Sequence, residues 1–409
     1  MPPVVPAGPA SVPAHVTGVA ASPAAAGAGR LESIDLLRGL VMVVMALDHV
    51  RNHLHRGAES FDPTDLTRAS AALFLTRWVT HFCAPVFVFL AGTGAFLWGA
   101  KGRSKDELCR YLWTRGLWLV VLELTVVNWE WRFGIRFDFI FAQVIWALGW
   151  SMIVLSLLVR LPVPAIGAFG WWMILGHNLF DGVTSERFGV FAPLWTVLHV
   201  QAPIVWAPGH TLLIMYPLVP WIGVMAAGYA FGAWMANEHP KRRRRILAVG
   251  ALLLMVFAEL RAYNFYGDPH PWSRQKDALY TALSFVNCQK YPPSLLFLFM
   301  TLGPALVLLG LIDRRVPALA RPLIVFGRVP LFYYVVHLFL IDLVTAAFAI
   351  ARYGARVREV MAHGPPPDYG YGLPVVYAVW VGVVLALYPV CGWYAGVKAR
   401  SRSRLLSYL

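Results

Sequence analysis

From residue 36 onward, long apolar stretches alternate with short polar connections. The stretches are apolar on every face, and most approach the ~20 residues that a helix needs to cross a bilayer. They fall at roughly 36–54, 82–100, 112–129, 139–160, 163–180, 212–236, 246–263, 294–312, 331–350 and 374–396. The pattern predicts an all-α, polytopic transmembrane helix bundle of about ten spans. Residues 320–330 offer room for a short eleventh segment. The fourth and fifth stretches meet through Arg160-Leu-Pro-Val-Pro164, which predicts a tight hairpin. Residues 1–30 are rich in Pro and Ala, broken too often for a helix, and predict a disordered tail. They lack the charged start of a signal peptide. Residues 31–400 then form one membrane domain.

Composition agrees with that class. The chain is 58% hydrophobic and 14% charged, against about 25% charged in a soluble domain. A net charge of +14 suggests nucleic acid only until its placement is considered. The basic residues gather in short connections: Lys101 to Arg115, Arg160, the run 241–245, Arg314 to Arg328, and both chain ends. By the positive-inside rule that side, with both termini, is cytoplasmic. The longer loops 55–81, 181–211, 264–293 and 351–373 then lie outside. Histidine has the opposite bias. His15 and His239 fall inside, whereas His49, His53, His55, His81, His177, His199, His210, His270 and His363 fall in outer loops or at outer span ends. Cys83, Cys109, Cys288 and Cys391 form no metal spacing. Cys83 and Cys288 share the outer side and would pair only if their Cα atoms came within about 7 Å.

The densest chemistry lies in residues 31–56, LESIDLLRGLVMVVMALDHVRNHLHR. As a helix, eleven residues restore nearly the same face, ~16 Å along the axis. Asp35, Arg38, Met42, Met45, His49 and His53 therefore form one stripe, with a cation near one membrane surface and imidazoles near the other. Ionisable groups in a span are costly unless they face protein or water. One reading makes Asp35 and Arg38 a cap and anchor and the histidines interfacial; the other makes the stripe a functional path. Asp48 points ~100° away from His49 and is not automatically its partner. His49 and His53 lack a third metal ligand, and no metal is expected. His337 and Asp342 sit inside the ninth stretch, on different faces, and mark a second candidate region. Glu123 and Glu259 are further single acids in apolar context. His81 opens the second stretch, whose Gly92 and Gly94 permit close helix packing.

Three ordered stretches carry a resemblance. Arg38 followed by His49 is similar to the motif of membrane acyltransferases that O-acetylate bacterial surface glycans. SIDLLRGLVMVVMALDHV, PVFVFLAG and GRVPLFYYVVHLFL more closely resemble the heparan-α-glucosaminide N-acetyltransferase catalytic family and its bacterial relatives, over roughly residues 31–345. The resemblance implies acyl transfer from cytosolic acyl-CoA, acetyl-CoA first among them, to a glycan-like acceptor outside the bacterial cytoplasmic membrane. It matches Arg38 and His49 to the motif's arginine and histidine and His337 to a histidine of the ninth-stretch pattern; His49 is then the expected catalytic position, with Asp48, His53 and His81 as neighbours. Arg38, Asp35 and His337 would lie on the cofactor side. One departure stands out: the lysosomal enzyme has asparagine where His49 falls, and its proposed histidine lies about one helical repeat later. His53 or His55 could take that role here. The lysosomal enzyme's large lumenal domain has no counterpart in these residues, so its substrate is not carried over.

Two other classes share the span pattern. A solute transporter would also bury ionisable groups, but the chain shows no internal repeat with paired broken helices. A non-enzymatic scaffold or sensor would use the long outer loops as binding surfaces.

Overall fold

The computed structural model describes residues 31–401 apart from 59, 133–136, 238–239, 314, 362–365 and 367–368. The expected tail 1–30, and with it His15, lies outside the described residues, as do His239 and His363.

Helix α1 (Glu32–Leu54) is the hub. Glu32 and Asp35 occupy its first turn and Arg51 and His53 its last, each sign matched to the helix dipole. Around it stand α3 (Cys83–Gly99), α12 (Leu295–Ile312), α14 (Pro330–Tyr353) and α16 (Leu373–Arg400). The centre of α1 is closely covered: Met42, Ala46 and Val50 are fully buried. The Trp380 indole on α16 donates to the Val43 carbonyl at 2.8 Å.

The short helix α13 (Leu323–Arg328) fills the place of the possible eleventh segment. Its six residues reach only ~9 Å, so it caps the start of α1 and does not span. A Cβ on Gly39 would lie 1.9 Å from the Leu323 carbonyl oxygen, and one on Gly327 would lie 1.8 Å from that of Asp35. Two backbones therefore touch where any side chain would force them apart.

The remaining helices form an outer arc. Helix α2 (Ala71–Val79), capped by the Ser70 hydroxyl, runs through one 3₁₀ turn into α3. Helix α4 (Lys105–Leu122) opens with a capping box between Ser104 and Glu107 and packs on α6 (Val144–Leu158). A π-helical turn, Glu123–Val127, links α4 to α5 (Asn128–Arg132). Helix α7 (Val163–Gly176) lies along α9 (Leu218–Ala236), and α9 also packs on α3. Helix α10 (Arg242–Tyr263) lies along α12. The turn between α6 and α7 is short, with the Leu161 amide on the Leu158 carbonyl at 2.9 Å. The expected hairpin is nevertheless not a packed pair, because α4 and α9 are the main partners of these two helices.

Two expected spans begin as strands. Strand β1 (Phe139–Ala142) runs parallel to β3 (His210–Ile214), and β2 (Ala202–Ala207) runs antiparallel to β3. The small sheet, ordered β1-β3-β2, adds a β element to an otherwise helical fold. Helices α8 (Ala192–His199), α11 (Ala278–Val286) and α15 (Val357–Met361) lie in the longer loops.

Six helical segments among the described residues are long and apolar enough to cross a membrane: Ala71–Gly99, Leu218–Ala236, Arg242–Tyr263, Leu295–Ile312, Pro330–Val360 and Leu373–Arg400. They mark an integral membrane protein. The count falls short of ten for physical reasons. Helices α1 and α4 carry several charges, and α6 and α7 have only 15 and 14 residues.

All four cysteines are free. Cys83 donates to the Val41 carbonyl at 3.4 Å. Cys288 is buried against Asp268, and burial pushes its thiol well above the ordinary value. Cys83 and Cys288 are therefore not paired.

Candidate active site

The stripe on α1 meets α14 in two rungs. His49 Nδ1 lies 2.7 Å from His337 Nε2, with the rings stacked at 4.9 Å. His53 Nε2 lies 3.3 Å from an Asp342 carboxylate oxygen. Higher residue numbers pair with higher ones, so α1 and α14 run side by side in the same direction. His49 and His53 are one turn apart on α1, which presents both to this neighbour.

The hydrogen bonds fix the tautomers. His337 Nδ1 faces the Tyr333 carbonyl at 2.8 Å. A carbonyl only accepts, so Nδ1 carries the proton and Nε2 of neutral His337 carries a lone pair. Nδ1 of His49 must then donate to it. That leaves Nε2 of neutral His49 without a proton and able to accept one. By the same logic His53 Nδ1 donates to the His49 carbonyl at 2.8 Å. His53 Nε2 then faces the Asp342 carboxylate.

Aromatic rings enclose the pair. Trp131 meets His49 edge-on at 5.5 Å and lies over His53 at 5.2 Å. Tyr334 packs edge-on against His49 at 6.1 Å. His337 is fully buried and His49 is 9% exposed. Glu130, beside Trp131, is also buried, with one carboxylate oxygen lacking a partner. Trp131 lines an open cavity of about 580 Å³ with Asp138, Phe139, Phe141, Gly209 and Thr211. The small sheet therefore forms one wall of a cleft that ends at the ring covering both histidines.

The other expected site residues fall elsewhere. Asp48 turns away from His49, as its helical angle requires. It bonds Arg51 at 2.9 Å and also holds Arg77. His81 is buried in the field of Arg77, Lys290 and Asp48, with its ring 5.3 Å from Phe297. A second cavity of about 400 Å³ opens over this charged layer, lined in part by Arg51, Asn52, Phe61 and Arg77. His55 leaves α1 in extended conformation and forms a bridge with Tyr371. Burial, with Arg51 and Arg56 beside it, lowers the pKa of its imidazole. Arg38 bonds Asp35 and the Gly327 carbonyl, each at 3.2 Å. Glu123 is buried and accepts from the Trp146 amide, whereas Glu259 is exposed on α10. Trp131, Tyr334 and Arg77 were not singled out from sequence; the π-helical turn just before Trp131 is a local signal that favours functional sites.

The architecture is that of an integral membrane protein with a histidine pair buried in its helix bundle. The chain belongs to the family described as heparan-alpha-glucosaminide N-acetyltransferase, catalytic, which matches residues 30–263. No curated protein matches it. Family membership supports a membrane-embedded acetyltransferase. The match includes His49, His53 and Trp131 and stops before α14.

Proposed function

We propose that the protein transfers an acetyl group from cytosolic acetyl-CoA to a glycan-like hydroxyl or amine on the opposite side of the bacterial cytoplasmic membrane. On this reading, about ten helical segments lie in the bilayer and both termini are cytoplasmic. The observation that carries the chemistry is the 2.7 Å contact between His49 and His337. It leaves an acceptor nitrogen on His49, whose ring packs against Trp131 at the lining of the neighbouring cleft.

The step balances with His49 as general base. His49 Nε2 takes the proton from the acceptor O–H or N–H as that atom attacks the thioester carbonyl. The carbon–sulfur bond breaks, and the departing CoA sulfur receives the proton from His49. His337 Nε2 holds the Nδ1 proton of His49 throughout and stabilises the transient imidazolium. Asp342 and His53 form a second contact one turn away. Trp131 and the β1–β3 wall border the acceptor cleft. Arg38, paired with Asp35, lies about half a hydrocarbon thickness from His49 and orients the cofactor path near the cytoplasmic entry.

The test is turnover of radiolabelled acetyl-CoA by the full-length protein in proteoliposomes, with a panel of glycan acceptors. A general base contributes 10²–10⁴-fold, so His49→Ala is expected to lose about that much while still binding acetyl-CoA. Full turnover in His49→Ala together with loss in His53→Ala would move the base one turn. Unchanged turnover in both variants would remove the reading.

A further inference from the structure

Away from the α1–α14 centre, three side chains with metal-binding chemistry converge. His177 starts the 3₁₀ turn that follows α7, Asp181 follows that turn, and His199 is the last residue of α8. One donor atom from each lies within 4.8 Å of the other two. No sequence motif announces the group, because the loop between Asp181 and α8 brings His199 back to the turn. We propose that His177, Asp181 and His199 form a zinc(II) site.

His199 and Asp181 are each held by the kind of outer hydrogen bond that a metal ligand has. His199 Nε2 lies 2.9 Å from the His177 carbonyl. That nitrogen must donate, so Nδ1 carries the lone pair. A ligating histidine characteristically fixes its outer N–H on a carbonyl in this way. Trp195 stacks on the same ring at 5.2 Å and 15°, which fixes its plane. Asp181 accepts from the Asn178 side chain at 2.8 Å through one oxygen, and its other oxygen is available to a metal. Asn178 is itself anchored by the Leu295 amide at 2.8 Å.

The second observation is His177. It is 2% exposed, and neither ring nitrogen has a hydrogen-bond partner. A buried polar atom left without a hydrogen bond is costly. Its ring lies 5.7 Å from that of His199. A metal ion between the two rings satisfies the lone-pair nitrogen that the protein leaves unpaired.

Donor type narrows the ion to the transition metals, iron(II) included, and zinc is the one we assign. Two imidazoles and one carboxylate suit zinc, copper or nickel and are a poor set for calcium or magnesium. Zinc bonds of ~2.0–2.2 Å require the donors to draw together from their present separation. Asp181 is exposed and free to rotate toward the histidines. Three protein ligands leave a fourth position for water or for a substrate oxygen. This site stands independently of the acetyl-transfer reading.

The test uses full-length protein in detergent without a polyhistidine tag. After chelator dialysis, zinc is returned and measured by mass spectrometry, and cobalt(II) is substituted for its visible ligand-field bands. One zinc per chain and tetrahedral-type cobalt bands are expected. His199→Ala and Asp181→Asn should each weaken zinc binding by at least about tenfold, the scale on which even outer-shell partners act. Asp181 is exposed, so Asp181→Asn tests the site even if the buried histidine variants fail to fold. No stoichiometric zinc, or zinc and cobalt bands unchanged in Asp181→Asn and His199→Ala, would overturn the proposal.

Discussion

His49 on the first helix and His337 on α14 share one hydrogen bond across 288 residues of chain. Each ring gives the other its orientation. The Tyr333 carbonyl fixes the proton on His337, and His337 fixes the proton on His49. Groups that act as a unit lose their effect together. His337→Ala should therefore reduce acetyl transfer by a factor within about tenfold of that in His49→Ala. The double variant should be little worse than either single one. Turnover numbers for the three variants, with acetyl-CoA affinity measured separately, check this. Multiplicative losses would mean that the two rings act independently.

Asp48 is expected to matter for stability more than for chemistry. It lies between Arg51 and Arg77, and all three side chains are no more than 13% exposed. Removing one partner of a buried ion pair typically costs about 3–5 kcal/mol, because the remaining charge is left uncompensated. Asp48→Ala should lower the thermal midpoint in detergent markedly. Turnover per folded molecule should fall far less than in His49→Ala. A stable Asp48→Ala protein with abolished turnover would return Asp48 to the chemistry.

The two glycines of α3 should separate cleanly. A Cβ on Gly92 would stand 2.1 Å from the Met225 carbonyl oxygen on α9, and backbone there cannot yield cheaply. A Cβ on Gly94 would meet only the Arg38 guanidinium, at 3.8 Å. Gly92→Ala should express poorly or melt early, whereas Gly94→Ala should behave as wild type in size-exclusion and melting profiles. Equal tolerance at both sites would contradict the α3–α9 packing.

Membrane orientation is open to cysteine labelling in a background lacking the four native thiols. Ser60 and Ser104 are both exposed, near opposite ends of the bundle. Ser60→Cys should react with an impermeant maleimide in intact cells. Ser104→Cys should react only after permeabilisation. Equal reaction from outside at both positions would end the proposed orientation.

Much of this arrangement is legible in the amino-acid sequence. Helical periodicity aligns Arg38, His49 and His53 and turns Asp48 away, and Asp48 indeed bonds Arg51 and Arg77 instead. His337 and Asp342 are conspicuous as ionisable groups in an apolar stretch. What cannot be read is their pairing with α1, because no local spacing reports on residues 288 positions apart. The sheet is missed for another reason. Phe139–Ala142 and His210–Ile214 are apolar, and an apolar window extends a helix over them without testing for period two. Trp131 is hidden among many interfacial aromatics until the fold lays it over both histidines.

The backbone bridge at His55 bears on how the protein is made. The Arg56 amide donates to the Tyr371 carbonyl at 2.9 Å, and the Tyr371 amide donates to the Leu54 carbonyl at 2.8 Å. This clip joins the exit of the first helix to the entry of the last. Helix α1 is not among the six described segments that are long and apolar enough to cross a membrane. Its partners α13, α14 and α16 all lie more than 260 residues further along the chain. Within these residues the histidine pair therefore forms only once α14 has followed α1 by 288 positions, and the clip to Tyr371 closes later still.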